Sequence, residues 1–240
     1  MKKLIAVAAI LFLSGQTQAQ GLKGLLNKAR ETINGKTAAA GLSNEDIVAG
    51  LKEALATGSA KGAAALSQAD GFFANAALKI LLPAEAKKVE SALRAAGLGK
   101  QADDAILSMN RAAEDACKSA APIFINAVKQ MSFKDALGIL RGSDTAATAY
   151  LRTGTHTELT SAFRPVIEQS LTKVDATRYW NTLMTTYNRF SLQKINPDLT
   201  AYVTEKALNG IFVQVAAEEK NIRENPVART SDMLKKVFAK

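Results

Sequence analysis

Asn110, Arg111 and Glu114 put an amide, a guanidinium and a carboxylate within about one helical turn. Asp103 falls earlier on the same edge. This edge borders an apolar stripe, and a buried polar group without partners costs about 1–3 kcal/mol. Two uses follow. The set is a polar pocket for a small ligand, or an internal network pinning neighbouring helices; the second is the leading reading. A similar set lies near the C-terminus. Lys206 shares a face with Tyr202, Val203, Gly210 and Val213, so its ammonium calls for a buried acid. Glu219 and Arg223 stand four apart in the favourable order for a helical ion pair. Arg229 and Asp232 flank the last helix start. A ring of such charges fits a binding cleft, or a latch for the last helix.

Other chemistry finds little support. His156 is the single histidine and sits in a Thr/Gly-rich stretch read as a surface loop. With no second histidine, no cysteine pair and no HExxH, a zinc site has no basis. A serine–histidine machine lacks a GxSxG turn. Neither GxGxxG nor a P-loop supports nucleotide binding. The basic residues are spread out without interleaved aromatics, which argues against nucleic acid. Cys117, the lone cysteine, has no disulfide partner within the chain and lies on an apolar helix face, where a thiol acts as a small hydrophobe. No cofactor and no catalytic residue is expected.

The element that positions the first set runs from Leu98 to Met131. Ile106, Met109, Ala113, Cys117, Ala120, Phe124, Val128 and Met131 recur at steps of three and four, so they share one helical face. Pro122 should kink or split this rod near Ala121. Around it, Ser43 with Asp46 opens a helix that Thr57-Gly58 ends, and a second helix runs from about Ala60 to Gln68. Asp70-Gly71 is a turn, and Phe72-Phe73 supply core anchors. Pro83 opens a helix that stops at Gly97. Ser132 with Asp135 caps a short helix ending at Gly142. Ser143 to Thr145 cap the next, and Thr153–Thr157 forms a polar loop. Glu158–Val174 is a helix kinked at Pro165, and Asp175 caps one holding Tyr179, Trp180, Leu183 and Tyr187. Leu199–Glu224 is a long helix, buried on most sides and stopped by Asn225-Pro226. A last amphipathic helix carries Met233, Leu234, Val237 and Phe238. No stretch alternates at period two. The fold class is therefore all-α: a compact multi-helix bundle around a long kinked central helix.

The 240 residues carry a formal charge of +9, are 48% hydrophobic and only 6% aromatic. Abundant alanine permits close helix approach and suits such a bundle. Residues 1–19 read as a secretory signal peptide: Lys2-Lys3, an apolar run from Leu4 to Leu13, and Thr17-Gln18-Ala19 before the cleavage point. Removing Lys2 and Lys3 takes +9 to +7, a balance that favours anionic surfaces. Residues 20–41 form an amphipathic segment and linker, with Leu22, Leu25, Leu26, Ala29 and Ile33 on one stripe. Docking on the body is preferred there over membrane contact. A single domain occupies 42–240.

Several blocks, in order, carry a likeness: LSNEDIVAGLKEAL (42–55), LSQADGFF (66–73), MNRAAEDA (109–116), QMSFKDALGILRGSDTAATAYLR (130–152) and the tail from Asp198 to Phe238. Together they resemble the bacterial domain-of-unknown-function family 4197. The resemblance implies export. Many members carry a lipid-attachment cysteine after the signal, and this chain has none there. It implies no activity, cofactor or site residue. The reading that results is a periplasmic or secreted protein without a transmembrane helix in its mature part. It is a non-catalytic binding or interaction module whose partner is an envelope component or small ligand. Two alternatives stand: an enzyme or ligand binder built on Asn110, Arg111 and Glu114, and a peripheral protein in weak contact with an anionic membrane.

Overall fold

The computed structural model describes residues 43–97, 99–173 and 198–225, with isolated positions between and after them. The described helices are α1 (Asn44–Leu66), α2 (Lys87–Ala95), α3 (Gly99–Cys117), α4 (Ala120–Gln130), α5 (Phe133–Leu140), α6 (Ala146–Thr172) and α7 (Leu199–Glu224). A 3-10 turn, Ala84–Ala86, precedes α2. The described residues contain no strand, as the all-α expectation requires. The expected leader, the amphipathic segment 20–41, Asp175, Tyr179, Leu183, Arg229, Asp232 and most of the last helix lie outside the described residues.

The rod divides in two. Helix α3 ends at Cys117 and α4 starts at Ala120, ahead of the expected break near Ala121. Proline explains the offset. The Pro122 ring would collide with the carbonyl of Lys118 in a continuous helix, so the chain turns at Lys118–Ser119 and Pro122 falls in the first turn of α4. The apolar face survives this break: all eight stripe residues from Ile106 to Met131 are buried. Both halves pack on α6, while α7 covers α3 and α1 covers α4. Phe124 meets Phe212 edge to face at a centroid distance of 5.9 Å.

Two expected helix breaks are absent. Helix α1 passes through Gly58 without stopping. Gly58 and Gly62 instead face α7: a Cβ on Gly58 would lie 3.2 Å from Ile222 Cδ1, and one on Gly62 would lie 3.3 Å from Gln214 Cγ. The glycines shorten the distance between helices. Helix α6 likewise runs through the supposed loop at Thr153–Thr157, with His156 exposed on its surface. Leu151, Thr155, Leu159, Phe163, Ile167 and Leu171 recur every four residues, all fully buried. The hydroxyls that suggested a loop bond back along the helix, Thr153 to the Ala149 carbonyl at 3.0 Å and Thr155 to that of Leu151 at 2.6 Å. Helix α6 also continues through Pro165, which faces solvent, where water can satisfy the carbonyl that proline leaves unbonded.

The caps follow local rules. Ser43 with Asp46, and Ser132 with Asp135, form reciprocal capping boxes. Asp198 accepts from the Ala201 amide at 2.8 Å and from Arg164 at 2.7 Å, tying the start of α7 to α6. Gly97, at φ +78°, makes the left-handed turn after α2.

Gly210 marks the tightest approach: a Cβ there would sit 2.4 Å from the fully buried Phe72 ring. Gly210→Ala should therefore destabilise the fold by about 1–3 kcal/mol through overpacking. Gly154→Ala, at an exposed α6 position with open space, should stabilise it by about 0.5–1 kcal/mol. Urea melts of the two variants check the opposite signs.

A pH dependence also follows. The Ser132 hydroxyl and amide hold the Asp135 carboxyl below its ordinary range. Asp198 is pushed up by partial burial, but its bonds from Arg164 and Ala201 outweigh this and leave it low. Carboxylates with depressed folded values add stability that is complete above the unfolded value of about 4 and disappears as pH falls through the folded value. Acid titration followed by circular dichroism should show loss of stability below about pH 4. Asp135→Asn should be weaker than wild type at pH 7 and should flatten that slope.

Candidate functional site

The Ser67–Leu82 segment between α1 and the 3-10 turn is irregular, yet it reaches the core through Phe72 and Ile80. Buried backbone without a helix or sheet needs other partners. Helix α3 provides them. Glu114 Oε1 accepts from the amides of Phe72 at 3.0 Å and Phe73 at 3.2 Å. Asn110 accepts from the Ile80 amide at 2.8 Å and donates to the Ile80 carbonyl at 2.8 Å. It also donates to the Ile106 carbonyl at 2.7 Å. One amide side chain thus pairs with Ile80 as a neighbouring strand would.

Arg111 completes the arrangement from the outside. It donates to Glu114 Oε2 and to Asp70, each at 2.7 Å. Asp70 holds a left-handed φ of 70°. The Phe73 ring lies near two cations, Lys79 Nζ at 3.9 Å and Arg111 Cζ at 5.9 Å from its centroid. Asn110, Arg111 and Glu114 are therefore brought together, with the amide and the carboxylate buried and the arginine at the surface.

Asp103 does not join them. It shares their edge, but the first turns of α3 lie beneath α2, which buries no residue. Asp103 is exposed there and pairs with Arg94 at 2.7 Å, which holds its carboxyl below the ordinary range.

The second set also separates. Glu219 is buried and takes five hydrogen bonds. Oε1 accepts from the Ala147 amide and from Nε and Nη2 of Arg223; Oε2 accepts from the Thr148 amide and hydroxyl. Ala147 and Thr148 lie in the first turn of α6. Thr145, the local cap residue, makes no side-chain cap bond, so a carboxylate from α7 does the work expected of Ser143–Thr145. Arg223 Nη2 donates to the Ile139 carbonyl at 3.0 Å, in the last turn of α5. The pair thus sets its negative member at one helix N-terminus and its positive member at another's C-terminus, as the helix dipoles favour. Lys206 lies apart and is exposed, its Nζ 5.5 Å from the Tyr202 ring, with no need for a buried acid. The face reading misplaced it because α7 turns Lys206 and Val213 outward while burying Val203 and Gly210.

Sequence reasoning missed Phe72, Phe73, Ile80, Ala147 and Thr148 as partners, because all five contribute backbone, which residue type does not encode, and only Thr148 adds a side-chain hydroxyl. The described residues hold no group of three or more histidine, cysteine, aspartate or glutamate side chains placed to bind a metal ion. Cys117 is buried, and burial, aided by the Glu114 charge, pushes its thiol far above the ordinary range. It stays protonated at neutral pH and makes a poor nucleophile.

Glu219→Ala should cost about 3–5 kcal/mol, since it takes the carboxylate from a partly buried arginine and leaves two buried amides without their acceptor. Asn110→Ala should cost about 1–3 kcal/mol. Chemical denaturation measures both.

The family described as "Protein of unknown function (DUF4197)" matches residues 41–239. No curated protein and no solved structure matches the chain.

Proposed function

The chain belongs to this family of unknown function, and from that premise we propose that it is an exported, non-catalytic binding or interaction module of the bacterial cell envelope. One observation carries the non-catalytic part. The buried polar side chains at the heart of both candidate sites, Asn110, Glu114 and Glu219, are spent on backbone amides and arginines of their own chain. A general acid or base must be able to reach a substrate proton, and these groups are held by structural partners whose loss would open the fold. The basic start and apolar run of residues 1–19 support export. Among the described residues, no helix is long and apolar enough to cross a membrane.

The test is fractionation of cells expressing the full chain with a C-terminal tag. The expected result is a periplasmic protein whose intact mass begins at Gln20, crosslinked in the living cell to an envelope component. An uncleaved chain in the cytosol, or a periplasmic chain crosslinked to nothing, would overturn the proposal. So would turnover by the purified chain of a small molecule recovered with it.

A further inference from the structure

We propose that the outer face of α5 docks on an anionic phospholipid surface. The inner face of this helix buries Ala136 and Ile139, and α5 packs on α1 and α6. Phe133, at its first position, is 45% exposed. Leu137, one turn on, is half-buried, and Lys134, Gly138 and Arg141 are exposed beside it.

The surroundings add positive charge. Lys129 is exposed in the last turn of α4, across the Met131–Ser132 corner. The Lys52 ammonium donates to the Lys129 backbone carbonyl at 3.2 Å, which brings a further cation from α1. From Lys129 to Arg141 the single acid is Asp135. Its carboxylate is occupied by the Ser132 amide at 3.1 Å and hydroxyl at 2.6 Å.

A projecting ring on a short helix, edged by ammonium and guanidinium groups, matches the headgroup plane. The ring enters the acyl boundary, and the cations remain level with the phosphates. Lysine stems allow that reach. The pairing is one of charge complementarity, and anionic lipid rather than lipid in general is the occupant. This deepens the envelope reading by naming a partner surface, but vesicle binding is measured on purified chain and does not depend on where the cell places it.

The test is flotation of the purified chain from Gln20 to Lys240 with vesicles of phosphatidylcholine alone or mixed with phosphatidylglycerol, at low salt. Binding is expected to the mixed vesicles only. Lys129→Glu with Lys134→Glu should lower the partition at least about tenfold, since each charge near the surface counts separately. Phe133→Ala should lower it several-fold. Lys87→Glu with Lys88→Glu, two exposed α2 positions with the same total change in charge, should leave most binding intact. Phe133→Trp should shift its emission to the blue on mixed vesicles. Equal binding to neutral vesicles, no binding to either, or equal losses from the α2 pair and the Lys129/Lys134 pair of reversals would overturn the proposal. So would a preference for soluble polyglutamate that competes the vesicles away. A chain that floats with anionic vesicles yet stays in the cytosol would leave this inference standing and remove only the export reading.

Discussion

A buried carboxylate aimed at backbone amides is the constraint on which this bundle depends. Hydrophobic stripes draw the helices together, but they leave the ends of helices and the irregular Ser67–Leu82 stretch with amides that water cannot reach. Those amides cost free energy unless something accepts from them. Glu114 accepts from Phe72 and Phe73, and Glu219 accepts from Ala147 and Thr148. Each carboxylate is then neutralised by an arginine of its own helix, three or four residues on or back. The ion pairs add little as pairs. Their value lies in letting a charged acceptor remain inside, where it fixes one packing among the many that alanine-rich faces permit.

The small residues act in the same direction. Ala112, Ala113 and Ala116 are fully buried on α3, and Gly58, Gly62 and Gly210 line the approaches of α7 to α1 and to Phe72. Short side chains bring helix axes close and make contacts numerous, but they have few shapes to interlock. Specificity therefore falls to the few large groups, such as Phe72 and Phe124, and to the polar anchors.

What the sequence disclosed divides along the same physical line. Period and capping chemistry are local, so the rod's buried face and the Ser43 and Ser132 capping boxes were legible residue by residue. Cys117 was readable as core for the same reason. Gly58 and the threonines of 153–157 misled, because a glycine or hydroxyl can break a helix or serve one, and only the neighbour decides. In the candidate sites, Asn110 and Glu114 were visible as polar residues on an apolar edge. Their partners were not, since a backbone amide looks alike at every position. Asp103 and Lys206 obeyed the helical geometry but lay at exposed positions, Asp103 under the solvent-exposed α2 and Lys206 on the outer side of α7.

The reach of Glu219 has a consequence for how the chain matures. It caps α6 from 72 residues beyond Ala147. Synthesis delivers α6 complete, with its leading amides bare, well before residue 219 emerges. Until α7 arrives, the junction between α5 and α6 has neither its anion nor its cation. The last long helix thus works as a closing clasp, and a chain cut short before it would lack both its apolar stripe and the fixed corner that sets the register of the others.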